Sequence, residues 1–453
     1  MKKIFTLLAL GTVFFVVGCR DGGNDFDTKQ KIHKYNPADY EGRMLSEWMQ
    51  LSYQAIKDNF LYGPHAARIY GYIGLTAWES VHYGIPGAKS LARQVNGYYE
   101  PAQADPNKEY DWGIVFCTAM KTVFPELVDN FTSAQRSQSE VLALLQESEM
   151  MAKGISQETR NNSVDLGHAV AQRIIDRIRK DGRDVIRNIV PVLPPRTDAT
   201  KWYWDPNTLG QSPVEPMWGT LMTFVVKNAQ SCEIAAPFPY SEDPGSDFYR
   251  EALEVFNVER NNQNRAIAYH WDNGPGRTCS PACHWVNIAL QVMERENLNL
   301  ARGAKLFAQI GMTASDAFSV SWYHKYKYNL LRPITYIREV IDPNWTPMIG
   351  TPPYPDYISG SSTVGGAASI IMRNTFGDVA FVDRTHLGSP LYTPDGGPFI
   401  LPERSFTSFT QAGEEQTLSR ILGGVHFRRA CDLGLQSGRC IGNTVLATLD
   451  FGF

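Results

Sequence analysis

From Glu41 onward the chain places apolar residues at three- and four-residue spacing, as in Met44, Trp48, Leu51 and Ala55, or Val164, Ile174 and Ile178 with their neighbours. That period matches one face of an α-helix, whereas the period-2 alternation of a half-buried strand is scarce. The spacing predicts helices over about 41–59, 64–83, 111–124, 137–152, 158–180, 246–270, 283–295, 300–327, 362–375 and 411–422. Pro- and Gly-rich stretches near 191–216, 236–245, 342–361 and 388–404 read as the connections. The expected fold is therefore all-α, with helices gathered into bundles. No internal repeat is visible. The long connection before residue 245 divides an N-terminal helical region, 41–240, from a C-terminal one, 241–453.

The amino terminus follows another rule. Lys2 and Lys3 precede an apolar run from Ile4 to Val17 that is too short to span a bilayer comfortably, which reads as a signal peptide over residues 1–18. The run ends in Val16-Val17-Gly18-Cys19, and a small residue directly before cysteine resembles the lipobox of bacterial lipoproteins. Cys19 is then the lipidated first residue of the mature chain, and residues 19–40, rich in Gly, Asp and Lys, a tether. An exported protein held at the bacterial cell envelope, at the outer membrane, by a lipid anchor alone is the expectation.

Hydrophobic residues at 43% and charged residues at 20% describe an ordered globular body rather than a disordered chain. A formal charge of −4, with no basic runs, argues against nucleic acid as a partner. Beyond Cys19 the chain holds Cys117, Cys232, Cys279, Cys283, Cys431 and Cys440 in a compartment where disulfides persist. Their pairing is not readable. Cys279 and Cys283 lack the second ligand pair of a structural zinc site, so a local disulfide or free thiols are expected there.

Three segments carry chemistry. In the first, Lys325 and Arg332 stand seven residues apart, about two helical turns, with Pro333 to end or bend the helix. Two cations on one face suit an oxyanion, although such a pair alone usually marks a solvated surface. In the second, Ser359 and Gly360 lead into a small-residue helix and offer a hydroxyl and backbone N–H groups to an anion, or simply an N-cap. In the third, Gly423-Gly424 breaks a helix between Arg420 and His426.

Taken in order, Lys325-x6-Arg332-Pro333, Ile358-Ser359-Gly360-Ser361 and Ser419-Arg420-x5-His426 resemble the signature of the vanadium-dependent haloperoxidase and type 2 phosphatidic acid phosphatase superfamily. Trp322, the run Pro352-Pro353-Tyr354-Pro355 and the segments His65–Gly84 and Ala268–Trp285 also look like haloperoxidase-type members. The resemblance implies helical bundles with vanadate, or a phosphoryl group in transit, held between helices. Lys325, Arg332 and Arg420 would neutralise its oxygens, and Ser359 and Gly360 would add hydrogen bonds. His426 would bind vanadium at an apical position, or attack phosphorus in a phosphatase.

Two positions depart from the pattern. Ser361 stands where the family has a histidine that exchanges protons with peroxide or a leaving group, and a hydroxyl does not titrate near neutral pH. Ala430 stands where a carboxylate is common, with Asp432 two positions late. His324, His284 and His386 are read as structural; Asp356, Tyr354 and Tyr357 belong to the expected pocket wall, where burial would let a carboxyl act as acid or base. Asp316 is read either as partner to a site arginine or as a helix-surface residue. The implied partners are a small oxyanion with peroxide and halide, or a phosphate ester. The implied activity is peroxide-dependent halide oxidation weakened by Ser361. A phosphomonoester hydrolase and a catalytically silent binding protein stand beside it as alternatives.

Overall fold

The computed structural model describes residues 31–127, 132–187, 189, 191–275, 279–388, 390–392 and 398–453. The signal peptide, Cys19 and most of the tether lie outside them. Among the described residues, fourteen α-helices form the body: α1 (Arg43–Asp58), α2 (Gly63–Val81), α3 (Trp112–Val123), α4 (Ser133–Ala152), α5 (Gln157–Ile178), α6 (Arg183–Ile186), α7 (Asp247–Phe256), α8 (Asn262–His270), α9 (Pro281–Arg295), α10 (Leu300–Tyr328), α11 (Pro333–Val340), α12 (Gly360–Phe376), α13 (Phe409–Leu422) and α14 (Arg428–Thr448). Within the connection before α13, two short antiparallel pairs join β1 (Phe381–Asp383) to β4 (Arg404–Phe406) and β2 (Pro390–Tyr392) to β3 (Pro398–Ile400). The fold is all-α in its architecture, and no described helix is long and apolar enough to cross a membrane.

Most helices begin at a capping side chain that the sequence supplies. Asp111, Thr132, Ser156, Ser246, Asn261, Ser280, Asn299, Ser359 and Ser408 each accept a backbone N–H of the first turn. One of these caps splits the helix expected over 246–270. Asn261 restarts the chain as α8 after α7 has ended at Phe256.

Two helix pairs set the interior, and both depend on glycine. Along α2 and α10, a Cβ on Gly74 would strike the Phe307 carbonyl, and one on Gly311 the Tyr70 carbonyl. The second pair is α12 and α14. Gly434, Gly438 and Gly442 repeat every four residues on α14 and press its backbone onto α12. A Cβ would lie 2.9 Å from the Ser359 carbonyl at Gly434 and 2.8 Å from the Ala367 carbonyl at Gly442, and would strike the Thr363 carbonyl at Gly438.

Across the division expected near 240, α2 lies along α10, and one hydrophobic cluster runs from Ile32 to Phe451. One expectation is corrected. The tether does not extend to Tyr40. Ile32 and Tyr40 are buried, the Tyr40 hydroxyl donates to Asp111 (2.8 Å) and Lys34 pairs with Glu109 (2.7 Å), so residues 31–40 belong to the folded body. Cys232–Cys440 and Cys279–Cys283 form disulfides, while Cys117 and Cys431 are buried free thiols.

Replacing Gly438 by alanine should destabilise the fold by about 1–3 kcal/mol or more in denaturant unfolding, as overpacking does. Gly245→Ala, whose Cβ meets its nearest neighbour, Asp243 Oδ1, at an ordinary 3.5 Å, should stay within about 0.5 kcal/mol. Equal effects would contradict the glycine seam.

Candidate active site

The three sequence segments meet at one end of α10, α12 and α13. Lys325 occupies the last turn of α10, which stops because Asn329 adopts a left-handed conformation (φ 46°) and returns its N–H to the Lys325 carbonyl. Arg332 is not on that helix. It caps α11 from an extended backbone (φ −87°, ψ 156°), so the two cations approach through a chain reversal and not through a shared helix face. Ser359 caps α12, its hydroxyl accepting from the Ser362 N–H (3.2 Å) and the Ser362 hydroxyl (2.9 Å). With both lone pairs used, the Ser359 proton is left to donate. Arg420 lies in the last turn of α13, and Gly424 (φ 78°) turns the chain so that His426 faces back toward it.

All of these side chains are buried. Arg332 spends Nε on the Tyr354 carbonyl (2.8 Å) and Nη1 on the Val425 carbonyl (2.7 Å); Lys325 donates to the Pro355 and Asp356 carbonyls (2.9 Å each); Arg420 Nη1 donates to the Trp271 carbonyl (2.9 Å). These bonds fix the heads and leave some donors over. Arg332 Nη2 and Arg420 Nε are buried without a hydrogen-bond partner. A charged donor left that way costs about 1–3 kcal/mol or more, and oxyanion oxygens are its natural complement.

A cavity of about 310 Å³ reaches this point, lined by Gly360, Ser361, Arg420 and His426 together with Tyr62, Phe318, Tyr354, Trp271 and Asp272. Lys325, Arg332 and Ser359 stand behind that wall. Ser361 opens into the cavity, and its hydroxyl accepts from Gln416 Nε2 (3.1 Å), whose carbonyl is held in turn by Trp285 Nε1 (2.7 Å). No histidine takes the place of the family residue there. His324 instead meets the Val320 carbonyl (2.9 Å), and Tyr357 donates to the Ala235 carbonyl.

The residue that sequence reasoning left as part of the wall is Asp356. It is fully buried, with Oδ1 2.8 Å from His426 Nδ1 and 3.8 Å from Arg332 Nη1. The expected carboxylate beside the histidine thus comes from the loop before α12; Asp432 is exposed and pairs with Arg428 (3.7 Å). The signal that could have found it is its position three residues before Ser359. Neither Asp356 oxygen completes a well-directed hydrogen bond, and burial pushes the carboxyl up to about 7 against the opposing pull of Arg332 and Lys325. His426 is held well below the ordinary imidazole range, first by burial and then by Arg332, Lys325 and Arg420. It is therefore neutral, and an acceptor at Nδ1 favours the tautomer whose Nε2 carries a free lone pair. Arg332 Nη1 lies 3.1 Å from Nε2 and 3.4 Å from Nδ1, nearly equidistant and so off the axis of either lone pair.

Asp316 fits neither expected role. It is buried in α10 and accepts the N–H groups of Phe224, Val225 and Val226 (2.6–2.9 Å), with its carboxyl raised to about 6, chiefly by burial.

Three buried cations, a histidine and guanidinium donors without partners thus converge at one end of the helical bundle, a set of groups chemically complementary to an oxyanion. The family model described as the VCPO second helical-bundle domain matches residues 305–451, which include every one of the cations and His426. A vanadium chloroperoxidase from Curvularia inaequalis is 29% identical over 189 residues, 31% of this chain and 31% of that protein's length. Among solved structures, a bacterial vanadium-dependent iodoperoxidase superposes with a TM-score of 0.79 at 29% identity, covering 92% of this chain and 98% of its own. The apo form of a bacterial vanadium-dependent chloroperoxidase, at 17% identity and a TM-score of 0.59, shares the fold over 86% of this chain and 94% of its own. The chain is thus similar to the vanadium-dependent haloperoxidases, in sequence over its C-terminal third and in fold over 92% of its length.

Asp356→Asn should weaken orthovanadate binding by about 10–100-fold in calorimetric titration, the usual cost of losing a residue that orients a ligand. Asp432→Asn should leave binding unchanged. The reverse ranking would contradict the pairing of Asp356 with His426.

Proposed function

We propose that this protein binds vanadate and catalyses peroxide-dependent halide oxidation, with iodide the halide it handles best. The observation that carries the reading is the pair of unpartnered buried donors, Arg332 Nη2 and Arg420 Nε, close to a neutral His426 that lines, with Arg420, a cavity of small-molecule size. Lys325, Arg332, Arg420, Ser359 and the Gly360 N–H would hold the vanadate oxygens, and His426 Nε2 would be its protein ligand. When bound, vanadate supplies the Lewis acidity that activates peroxide. The net reaction, X⁻ + H₂O₂ + H⁺ → HOX + H₂O, consumes one proton.

The chain's own residues decide the rest. Burial of the cations in a low-dielectric wall strengthens their hold on a polyanion. Asp356 Oδ1, 2.8 Å from His426 Nδ1, favours a proton on that nitrogen by charge and proximity. Tyr62, Phe318, Tyr354, Pro352 and Pro353 give the cavity an apolar lining that suits a large, weakly hydrated halide. Iodide is also the most easily oxidised of the common halides, so it asks least of the proton chemistry. That chemistry is where the site is weak, since Ser361 exchanges no proton near neutral pH and general acid–base help is worth about 10²–10⁴-fold.

The same serine favours a second reading, in which the site binds an oxyanion, as vanadate or as a phosphate ester, without turnover. We also propose export and lipid anchoring at Cys19, which the two disulfides support because such bonds persist in oxidising compartments.

With vanadate, peroxide and iodide, the envelope fraction of expressing cells should form triiodide, His426→Ala should abolish it, and Ser361→His should raise the rate at least about tenfold. Cys19→Ala should move the activity out of the envelope fraction. No iodide oxidation by either the wild type or Ser361→His would reject the peroxidase, and release of nitrophenol from p-nitrophenyl phosphate by the wild type would install the hydrolase.

A further inference from the structure

Behind the cavity wall lies a second cluster that the oxyanion site does not use. His270 ends α8, His284 stands in the first turn of α9, and Asp383 ends β1. His270 Nε2 lies 2.9 Å and His284 Nε2 2.6 Å from the same carboxylate oxygen, Asp383 Oδ2. One ligand atom from each of the three residues lies within 4.8 Å of the others. A third histidine, His386, packs against both rings, with centroids 5.6 Å from His270 and 5.1 Å from His284. All four side chains are at most 2% exposed. Neither ring nitrogen of His386 forms a well-directed hydrogen bond, although the His270 backbone is close.

Three imidazoles around one carboxylate, sealed from solvent, are an unusual core. Burying an imidazole whose two nitrogens have no well-directed partner among the described residues is costly. We propose that His270, His284, Asp383 and His386 form a closed site for a divalent transition ion of the zinc type. Three nitrogens and one oxygen suit zinc or cobalt and exclude calcium and magnesium, which take oxygen ligands. The absence of an open position makes the ion structural. Each Nε2–Oδ2 pair would spread to about 3.3 Å, the edge of a tetrahedron with legs of about 2.0–2.1 Å, and the His386 ring would turn inward.

The second shell is already present. His284 Nδ1 lies 2.9 Å from Asn273 Oδ1, which orients its other nitrogen toward Asp383, and the Thr385 N–H holds Asp383 Oδ1 at 2.8 Å. The ion would also brace the oxyanion pocket. Trp271 follows His270, stacks on the His284 ring (centroids 4.5 Å apart) and offers its carbonyl to Arg420.

The test uses untagged protein stripped with a chelator and then titrated with Zn²⁺ or Co²⁺ alone, with no vanadate, so its outcome is independent of the peroxidase reading. We expect one equivalent of Zn²⁺ per chain, the intense visible bands of four-coordinate cobalt, and a higher Tm with metal. His386→Gln should weaken uptake by about 10–100-fold. Should His386→Gln fail to fold, the wild-type cobalt spectrum and stoichiometry decide alone. Absence of cobalt bands and zinc uptake in the wild type, or uptake undiminished in a folded His284→Gln variant, would overturn the site.

Discussion

Three cationic side chains, Lys325, Arg332 and Arg420, are buried together against a single buried carboxylate, Asp356. Charge removed from water must be compensated, and here the protein compensates it only partly. Backbone carbonyls take some of the donors, yet Arg332 Nη2 and Arg420 Nε are left without partners. The same field, added to burial, keeps His426 neutral and depresses Lys325 below its ordinary range. Among the described residues lining the cavity, the other carboxylate is Asp272, half-buried and outside this cluster. The proposed anion would complete the arrangement, and the surrounding fold holds the cations in place for it.

That rigidity comes from close backbone packing. The α12–α14 seam carries Ser359 and Gly360 at one end, and the Ser359 N–H is tied to the Ala430 carbonyl (3.0 Å), so the loop entering α12 is anchored to a helix and not left free. On the opposite side, a Cβ on Gly360 would meet Trp322 at 3.2 Å, tighter than ordinary contact, so the glycine lets the start of α12 lie close against α10. The aromatic wall has a related role. Tyr354 lies against both Lys325 (5.1 Å) and the Arg332 guanidinium (4.9 Å), adding cation–π attraction where water is excluded.

Most of the helices were legible because apolar periodicity survives burial, and the caps at Ser156, Ser246, Asn299 and Ser359 confirm where several of them begin. Helix α14 was not legible. Gly434, Gly438 and Gly442 read as breakers in isolation, whereas against α12 the missing side chains are what allow contact, a tertiary gain that no local propensity reports. The motif residues were found by spacing, but the reason for the spacing was not: the interval between Lys325 and Arg332 encodes a helix end at Asn329 and a new start at Pro333. Asp356 illustrates a different blindness. Its partner His426 is seventy residues away, and only the folded chain shows that the carboxylate absent at Ala430 is supplied from another loop. The His270–His284–Asp383 cluster was hidden for the same reason.

Ser361 separates binding from turnover. Its hydroxyl is held by Gln416 and faces the cavity, so under the proposed function the anion would meet a serine where the superfamily pattern has a titrating histidine. The measurement that tests the anion site most directly is therefore thermal unfolding of the wild-type protein against increasing orthovanadate, at ionic strength balanced with chloride. Stabilisation should grow with the logarithm of ligand, reaching about 2.7 kcal/mol at a hundredfold excess over Kd, and Arg420→Ala should flatten the response. A Tm indifferent to orthovanadate would mean that the buried cations are satisfied by something other than an oxyanion.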